Sequence, residues 1–170
     1  MTAIDLRPAT PADIPLLAYW DTKPHVIACT GADEAPDWEE EFAALAGPWY
    51  ECLIGEEGGR PVGVVQIVDP AEEPTHYWGA CEKHLRAIDI WIGEERDLGR
   101  GLGTQMMRLA VARCFQPSEV TAILIDPLES NKAAQRFYRR LGFETVGPRR
   151  FGEDDCIVMR LERAAWADGG

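Results

Sequence analysis

Three groups of residues have the types and spacing to carry chemistry. The first is Leu98-Gly99-Arg100-Gly101-Leu102-Gly103-Thr104, with glycine at every second position just ahead of an apolar-periodic stretch. Glycine lets the backbone come close to a ligand with no Cβ in the way. The free N–H groups at a helix start, aided by the helix dipole, bind phosphate. No Gly-Lys-Ser/Thr follows, so this is not a Walker loop. The alternate spacing and late position also make it a poor dinucleotide fingerprint. The second group is Ile125-Asp126-Pro127-Leu128-Glu129-Ser130-Asn131 and the helical Ala133–Phe143 stretch after it. Asp126 ends an apolar run, Asn131 opens a helix, and Tyr138 lies two turns into it on the Ala134–Leu141 face. On these residues alone Asn131 reads as a cap and Tyr138 as a core aromatic. The third is Asp89, on a strand whose Ile88, Ile90 and Ile92 point one way while Asp89 and Trp91 point the other.

The first two groups, in this order, resemble the acetyl-CoA signature of the GNAT superfamily. The resemblance covers most of residues 60–162; residues 1–59 match only in outline. It implies that Leu98, Gly99, Arg100, Gly101, Leu102, Gly103 and Thr104 hold the pyrophosphate. It also implies that Asn131, Ala134 and Tyr138 lie beside the pantetheine arm and thioester. The family usually opens its loop with Gln or Arg where this chain has Leu98, which removes a side chain but no backbone donor. Ile88–Glu94, Arg100–Thr104, Asp126-Pro127 with Asn131, and Asp155–Met159 are similar to the aminoglycoside 6′-N-acetyltransferases. That narrower resemblance implies acetyl-CoA as co-substrate, no metal, and a cationic small-molecule amine as acceptor, with antibiotic resistance as a role. It places Asp89 as base or amine anchor, Asp126 and Glu153 as further carboxylates for the cationic sugar, and Tyr138 near the CoA sulfur.

The chemistry of the residues agrees. An ammonium cannot attack a thioester until it loses a proton, and a carboxylate beside the thioester can take it, directly or through water. A solvated carboxylate is a poor base, so partial desolvation is needed; Trp91, on the face of Asp89, could supply it. The leaving thiolate needs a proton, which a tyrosine such as Tyr138 can give. Charge on the carbonyl oxygen needs a backbone N–H, expected from the strand at Trp91 and Ile92. Tyr77 and Trp78, near Glu82, suit stacking on sugar rings that carry ammonium groups. Nothing suggests a covalent acyl-enzyme, and Cys114 reads as core, as do Trp20 and Trp49. Two other readings stand beside this one. A siderophore-type lysine N-acyltransferase resembles the chain at the glycine loop but usually has histidine where Asp89 stands. A non-catalytic acyl-CoA sensor would need neither Asp89 nor Tyr138.

These residues require a scaffold. Ile4–Arg7 reads as a first strand, and Thr10 as the N-cap of a helix with Pro11 in its first position. Residues 21–36 read as irregular, and Asp37 caps a helix over about 38–46, stopped by Gly47-Pro48. Tyr50–Gly55 and Val62–Val68 form a hairpin, followed by the long loop Asp69–His84, of a length usually functional or mobile. Leu85–Ile92 is a strand, and Leu102–Phe115 a helix with Leu102, Met106, Leu109 and Ala110 on its apolar stripe. Val120–Ile125 is a central strand and Asn131–Leu141 a helix ended by Gly142. Phe143–Val146 and Cys156–Leu161 close the sheet. The predicted fold is α+β and GNAT-like, a mixed sheet of about six to seven strands with about four helices.

Composition limits the alternatives. The 170 residues, 46% hydrophobic, suit a single domain, with residues 1–95 mostly on the acceptor side and 96–162 mostly on the acetyl-CoA side. Net charge is −12, against nucleic acid as a partner. Residues 1–95 carry −14 and residues 96–170 carry +2, a division suited to drawing a cation to one half and an anion to the other. No stretch approaches the roughly 20 apolar residues of a membrane helix, and the start lacks a signal-peptide pattern, so a cytoplasmic protein, monomeric or homodimeric, is expected. The cysteines at 29, 52, 81, 114 and 156 are scattered, with no Cys-x-x-Cys. Cys81 and His84 form an isolated Cys-x-x-His with too few ligands for a stable metal site.

Overall fold

Short apolar runs that alternate or run continuous pair into one sheet, as their periodicity requires. In the computed structural model, which describes residues 2–31, 35–44 and 47–168, the strands are β1 (Ile4–Pro8), β2 (Tyr50–Glu57), β3 (Arg60–Val68), β4 (Leu85–Ile92), β5 (Ala122–Ile125), β6 (Glu144–Phe151) and β7 (Asp154–Glu162). Their order across the sheet is β1-β2-β3-β4-β5-β7-β6. Only β4 and β5 run parallel; the other neighbours are antiparallel. The seven strands match the expected α+β architecture.

The helices number more than expected. Described are α1 (Ile14–Trp20), α2 (Pro24–Thr30), α3 (Trp38–Ala44), α4 (Leu102–Cys114), α5 (Lys132–Arg140) and α6 (Arg163–Asp168), with 3-10 turns at Pro11–Asp13 and Glu95–Asp97. Helix α2 falls in the stretch read as irregular. Its 7 residues bury only Val26, too little for a period to show in the sequence. Pro24 stands at its first position after the extended Lys23, the start that proline favours. Asp37 caps α3 as expected, its Oδ1 accepting from Glu39 N–H at 3.0 Å; the last two positions of that predicted helix lie outside the described residues. Ahead of α1, Asp13 accepts two bonds from the Arg7 guanidinium and one from Thr10 N–H, each 2.8 Å.

Core clusters cover the two faces of the sheet. On one face α4 and α5 pack Met106, Met107, Ala110, Val111 and Tyr138 against Val65, Ile67, Ile88, Ile123, Ile125 and Met159. Leu109, placed on the buried stripe by periodicity, is 40% exposed; Met107 and Val111 are buried instead, because the face that meets the sheet is rotated towards them. Cys114 is core, as expected. On the other face α1 and α3 bury Leu17, Trp20 and Trp38 on Tyr50, Cys52, Ile54 and Val64, with Trp49 packed at the edge. Further along that face Trp78 joins Ala87, Leu124, Phe151, Cys156 and Val158. No helix among the described residues is long and apolar enough to cross a membrane.

Trp78 corrects an expectation. It does not offer its indole to a ligand; it plugs the second cluster, 5% exposed, edge-on to Phe151 at 5.2 Å. An aromatic of this size costs about 3–5 kcal/mol to truncate when buried. Trp78→Ala should therefore lose about that much stability in urea denaturation. Unchanged stability with a raised acceptor KM would return the indole to the ligand surface.

Candidate active site

The site begins where the sheet opens. Strands β4 and β5 pair at Leu85–Ala122, Arg86–Ile123 and Ala87–Leu124, and then part. Beyond that point β4 pairs only with β3, from Gln66–Asp89 to Gly63–Ile92. Gly93 N–H donates to Val62 O at 2.9 Å. In an antiparallel pair alternate residues bond to the same side, so Trp91 and Asp89 direct their backbone groups to β3. Ile90 and Ile92 direct theirs into the gap. Of the two residues expected to offer a backbone donor, Ile92 is thus placed for it and Trp91 is not. The Trp91 indole lies with the α1–α3 cluster, 6.4 Å from Trp38.

Two carboxylates line the gap on the face shared with Trp91. Asp89 is reached by solvent from the cleft but closely surrounded by protein. Desolvation, with the negative charge of Glu41 on α3, pushes its carboxyl up to about 6. Asp126, at the end of β5, is pushed up to about 7 by desolvation and the nearby Asp89 charge. The two titrate as a pair rather than as separate groups. Tyr77 Oη donates to Asp126 Oδ2 at 2.6 Å. The residue is 44% exposed, and its ring stacks on Phe151 at 4.5 Å. The loop that carries it is ordered by Glu73, a buried carboxylate that accepts from Thr75 N–H at 2.9 Å, Thr75 Oγ1 at 2.6 Å and Tyr77 N–H. Tyr138 comes to the gap from the opposite face. It is 8% exposed, and its hydroxyl is pushed well above the usual phenol range by desolvation and by the Asp89 and Asp126 charges.

Beside the gap, the glycine segment leaves the 3-10 turn and enters α4. Gly99 and Gly101 have φ of 71° and 81°, the left-handed region that favours glycine. A Cβ on either would meet nothing within 4 Å, so the loop presents an open backbone surface. Gly101 is the N-cap of α4 and no side chain caps that end, which leaves the first-turn N–H groups to an anion. The loop therefore fits a pyrophosphate, with Leu98 exposed beside it and Thr104 half-buried in the first turn. Two positions of the loop have protein neighbours of their own. A Cβ on Gly103 would lie 3.8 Å from Phe137, so that glycine faces α5 and not the open surface. Arg100 is bound to Glu57 and Asp97.

Helix α2 spans the mouth of the gap. His25 Nε2 meets Ile92 O at 2.9 Å, Cys29 Sγ accepts from Asn131 Nδ2 at 3.7 Å, and Gly31 lies against the Asp154 carboxylate. Asn131 also caps α5, accepting from Ala134 N–H at 3.1 Å. Asp89, Asp126, Tyr77 and Tyr138 are thus brought together, with Asn131 and Ala134 beside them. Glu153 is not among them; it is exposed in the turn between β6 and β7. Sequence reasoning missed Glu41, Gln66, Phe151 and the residues of α2. Gln66 stands opposite Asp89 and donates to Tyr50 Oη at 2.5 Å. Its signal was legible, a single polar residue in the apolar run of β3. Recesses of about 570 Å³ at Lys23 and Glu94 and about 480 Å³ at Ser130 and Asp154 lie outside the carboxylate pair. The chemistry is concentrated in the open gap and not in either recess.

Comparison with known proteins accords with this geometry. Residues 9–151 match the family model described as an acetyltransferase (GNAT) domain. An aminoglycoside N(6′)-acetyltransferase type 1 of Klebsiella pneumoniae is 29% identical over 96% of this chain and 85% of its own length. A lysine N-acyltransferase, MbtK, of Mycolicibacterium paratuberculosis is 26% identical over 92% of this chain and 70% of its own. The solved structure of AAC(6′)-Ib with ribostamycin and coenzyme A superposes with a TM-score of 0.90, at 29% identity over 98% of this chain and 97% of the other.

Gly101→Val forces a β-branched residue into the left-handed region and should weaken coenzyme A binding at least tenfold in calorimetry, whereas Gly103→Ala should bind normally. For stability, the raised pKa of Asp126 sets the sign. Its ionisation penalty is absent below about pH 4 and complete above the folded value of about 7. Asp126→Asn should therefore be the more stable protein at pH 8, by on the order of 1–2 kcal/mol in urea. The difference should vanish at pH 4, and a variant no more stable at pH 8 than the parent would refute the penalty.

Proposed function

We propose that this chain, which belongs to the GNAT acetyltransferase family, moves the acetyl group of acetyl-CoA to a primary amine of a cationic small molecule, the 6′-amine of an aminoglycoside. The observation that carries the reading is the pair Asp89–Asp126 in the gap, with Tyr138 entering from the other face. The likeness to aminoglycoside acetyltransferases along nearly the whole chain supports it.

The residues divide the work as follows. The open loop at Gly99–Gly101 and the first turn of α4 would hold the pyrophosphate through backbone N–H groups. Acetyl-CoA supplies the thioester. Asn131 and Ala134 would flank the pantetheine arm, and Ile92 or Ile90 would donate a backbone N–H to the carbonyl oxygen as it gains charge. An ammonium entering the gap meets Asp89 and Asp126. Asp89, with its carboxyl pushed up to about 6, would accept a proton from the amine more readily than a fully solvated aspartate. The amine then attacks the thioester carbonyl. Tyr138 stays protonated at neutral pH, so its hydroxyl can donate to the departing thiolate and pass it a proton, which the phenol recovers from the second N–H that the nitrogen sheds as the amide forms. Tyr77, held on Phe151, would form the wall against which the acceptor ring stacks. Glu153 would act only further out, where β6 turns into β7. The reading places the reaction in the cytoplasm, with a cationic small molecule as partner and no nucleic acid.

Thiol release from acetyl-CoA, measured across kanamycin-like and lysine-like amines, tests the acceptor. Turnover confined to lysine-like amines would replace this reading with that of a lysine acyltransferase. Asp89→Asn and Tyr138→Phe should each lower kcat by roughly 10²–10⁴, while Asp126→Asn should mainly raise the acceptor KM. The parent's kcat/KM for the acceptor should rise with pH through the carboxylate pair, between about 6 and about 7, because the base works only when ionised. A flat profile over that range would remove Asp89 as the base.

A further inference from the structure

The glycine loop has a brace that lies outside the site. Arg100 stands between Gly99 and Gly101, whose Cβ positions meet nothing, and two residues after the exposed Leu98. What ties the loop down is the Arg100 side chain. Its Nη1 donates to Asp97 Oδ1 at 2.6 Å, and its Nη2 to Glu57 Oε1 at 2.8 Å. Arg60 closes the ring from the other side, donating to Asp97 Oδ2 and to Glu57 Oε2, each at 2.8 Å. Glu57 and Arg60 flank the tip of the β2–β3 hairpin, and Asp97 ends the 3-10 turn that enters the loop. Two carboxylates and two guanidiniums thus alternate in a closed, neutral ring that joins a hairpin to the glycine loop.

This is more than a solvated surface cluster, whose pairs contribute little. The Asp97 side chain is only 3% exposed, and Glu57 only 12%. A carboxylate so enclosed depends on its partners. Both acids are held below the usual carboxylate range by hydrogen bonds from Arg60 and Arg100, so the ring stays ionised at neutral pH. Lysine could not replace Arg100, since an ammonium lacks the planar fork that spans two carboxylates.

We propose that Asp97 and Glu57 are positioning residues for acetyl-CoA: acting through Arg100, they hold the glycine loop in its open shape, so the hairpin tip sets cofactor affinity. This rests on reading that loop as the pyrophosphate cradle. Arg100, expected from the sequence as a cofactor ligand, then works mainly inward. An unbraced loop would have to be ordered by the cofactor itself, and that ordering would be subtracted from binding.

Calorimetric titration of the intact protein with coenzyme A tests this without turnover. Asp97→Asn and Glu57→Gln should each raise Kd about tenfold, and acetyl-CoA KM alike, while kcat at saturating acetyl-CoA and the acceptor KM stay unchanged. Arg100→Lys should weaken binding as Asp97→Asn does, because charge without the fork cannot bridge. Should Asp97→Asn fail to fold, by circular dichroism, Glu57→Gln at the hairpin carries the test. Unchanged Kd in the folded acid variants, with or without a lower Tm, overturns the proposal, as does normal affinity in Arg100→Lys. Gly101→Val separates the two readings: if it too leaves Kd unchanged, the cradle itself is wrong, and if it alone weakens binding, only the brace is.

Discussion

Two parallel strands that share three residue pairs and then separate leave backbone N–H and C=O groups facing a gap inside the sheet. Such groups must find partners, and a ligand can supply them. The parting of β4 and β5 also allows the two sides of the sheet to meet. Asp89 shares a face with Trp91, while Tyr138 belongs to the core on the opposite face under α4 and α5. A continuous ladder would keep them apart. In this chain the phenol is exposed to the charge of both carboxylates through the opening. The break in pairing therefore provides a channel of unpaired backbone and a place where acid and base can act on one ligand.

The gap is electrostatically unfinished, and that argues for the charge of its occupant. Beyond the desolvation of both, the Glu41 charge raises Asp89 and the Asp89 charge raises Asp126. Arg149 offsets Asp126 only in part, since its guanidinium is committed to Trp78 O and the Phe151 ring. Desolvation and repulsion together raise both aspartates; a cation entering the cleft would offset both by favouring the ionised forms, so binding energy and pKa are linked. An anion would meet the same charges with the opposite result. The −14 carried by residues 1–95 extends this preference beyond the cleft, where it acts on encounter more than on final affinity.

How far the sequence could be read depended on how local each signal was. The strands were legible because alternation is a short-range pattern, and Asp89 and Trp91 share a face as the period of two requires. Asn131 was legible as a cap for the same reason. Helix α2 was not, because two turns with one buried residue leave no period. Trp78 and Tyr77 were indistinguishable as neighbours in a polar loop. What separates them is tertiary: Trp78 meets Ala87 and Leu124, while Tyr77 turns out to Asp126. Leu109 shows the limit of helical phase, since a small rotation of α4 exchanges which residues of one stripe are buried. In the sequence Glu41 is the last of three consecutive acids in α3, and only the packing of α3 over the sheet brings it near Asp89.

The glycine loop makes the same point from the side of entropy. Glycine supplies the conformations that an anion cradle needs, but the residues that permit a shape do not select it. The unbound loop could adopt many others, and choosing one has a conformational cost. A repeat of alternate glycines therefore implies a brace somewhere, although the repeat cannot say where. Here the brace joins Arg100 to Glu57 and Arg60, some 40 residues earlier in the chain. The sequence shows Arg100 only as a cation beside an anion site, where a direct ligand role is the natural reading. The fold reassigns it by placing two enclosed carboxylates within its reach, and an arginine so engaged has little left to offer a phosphate except a backbone held in place.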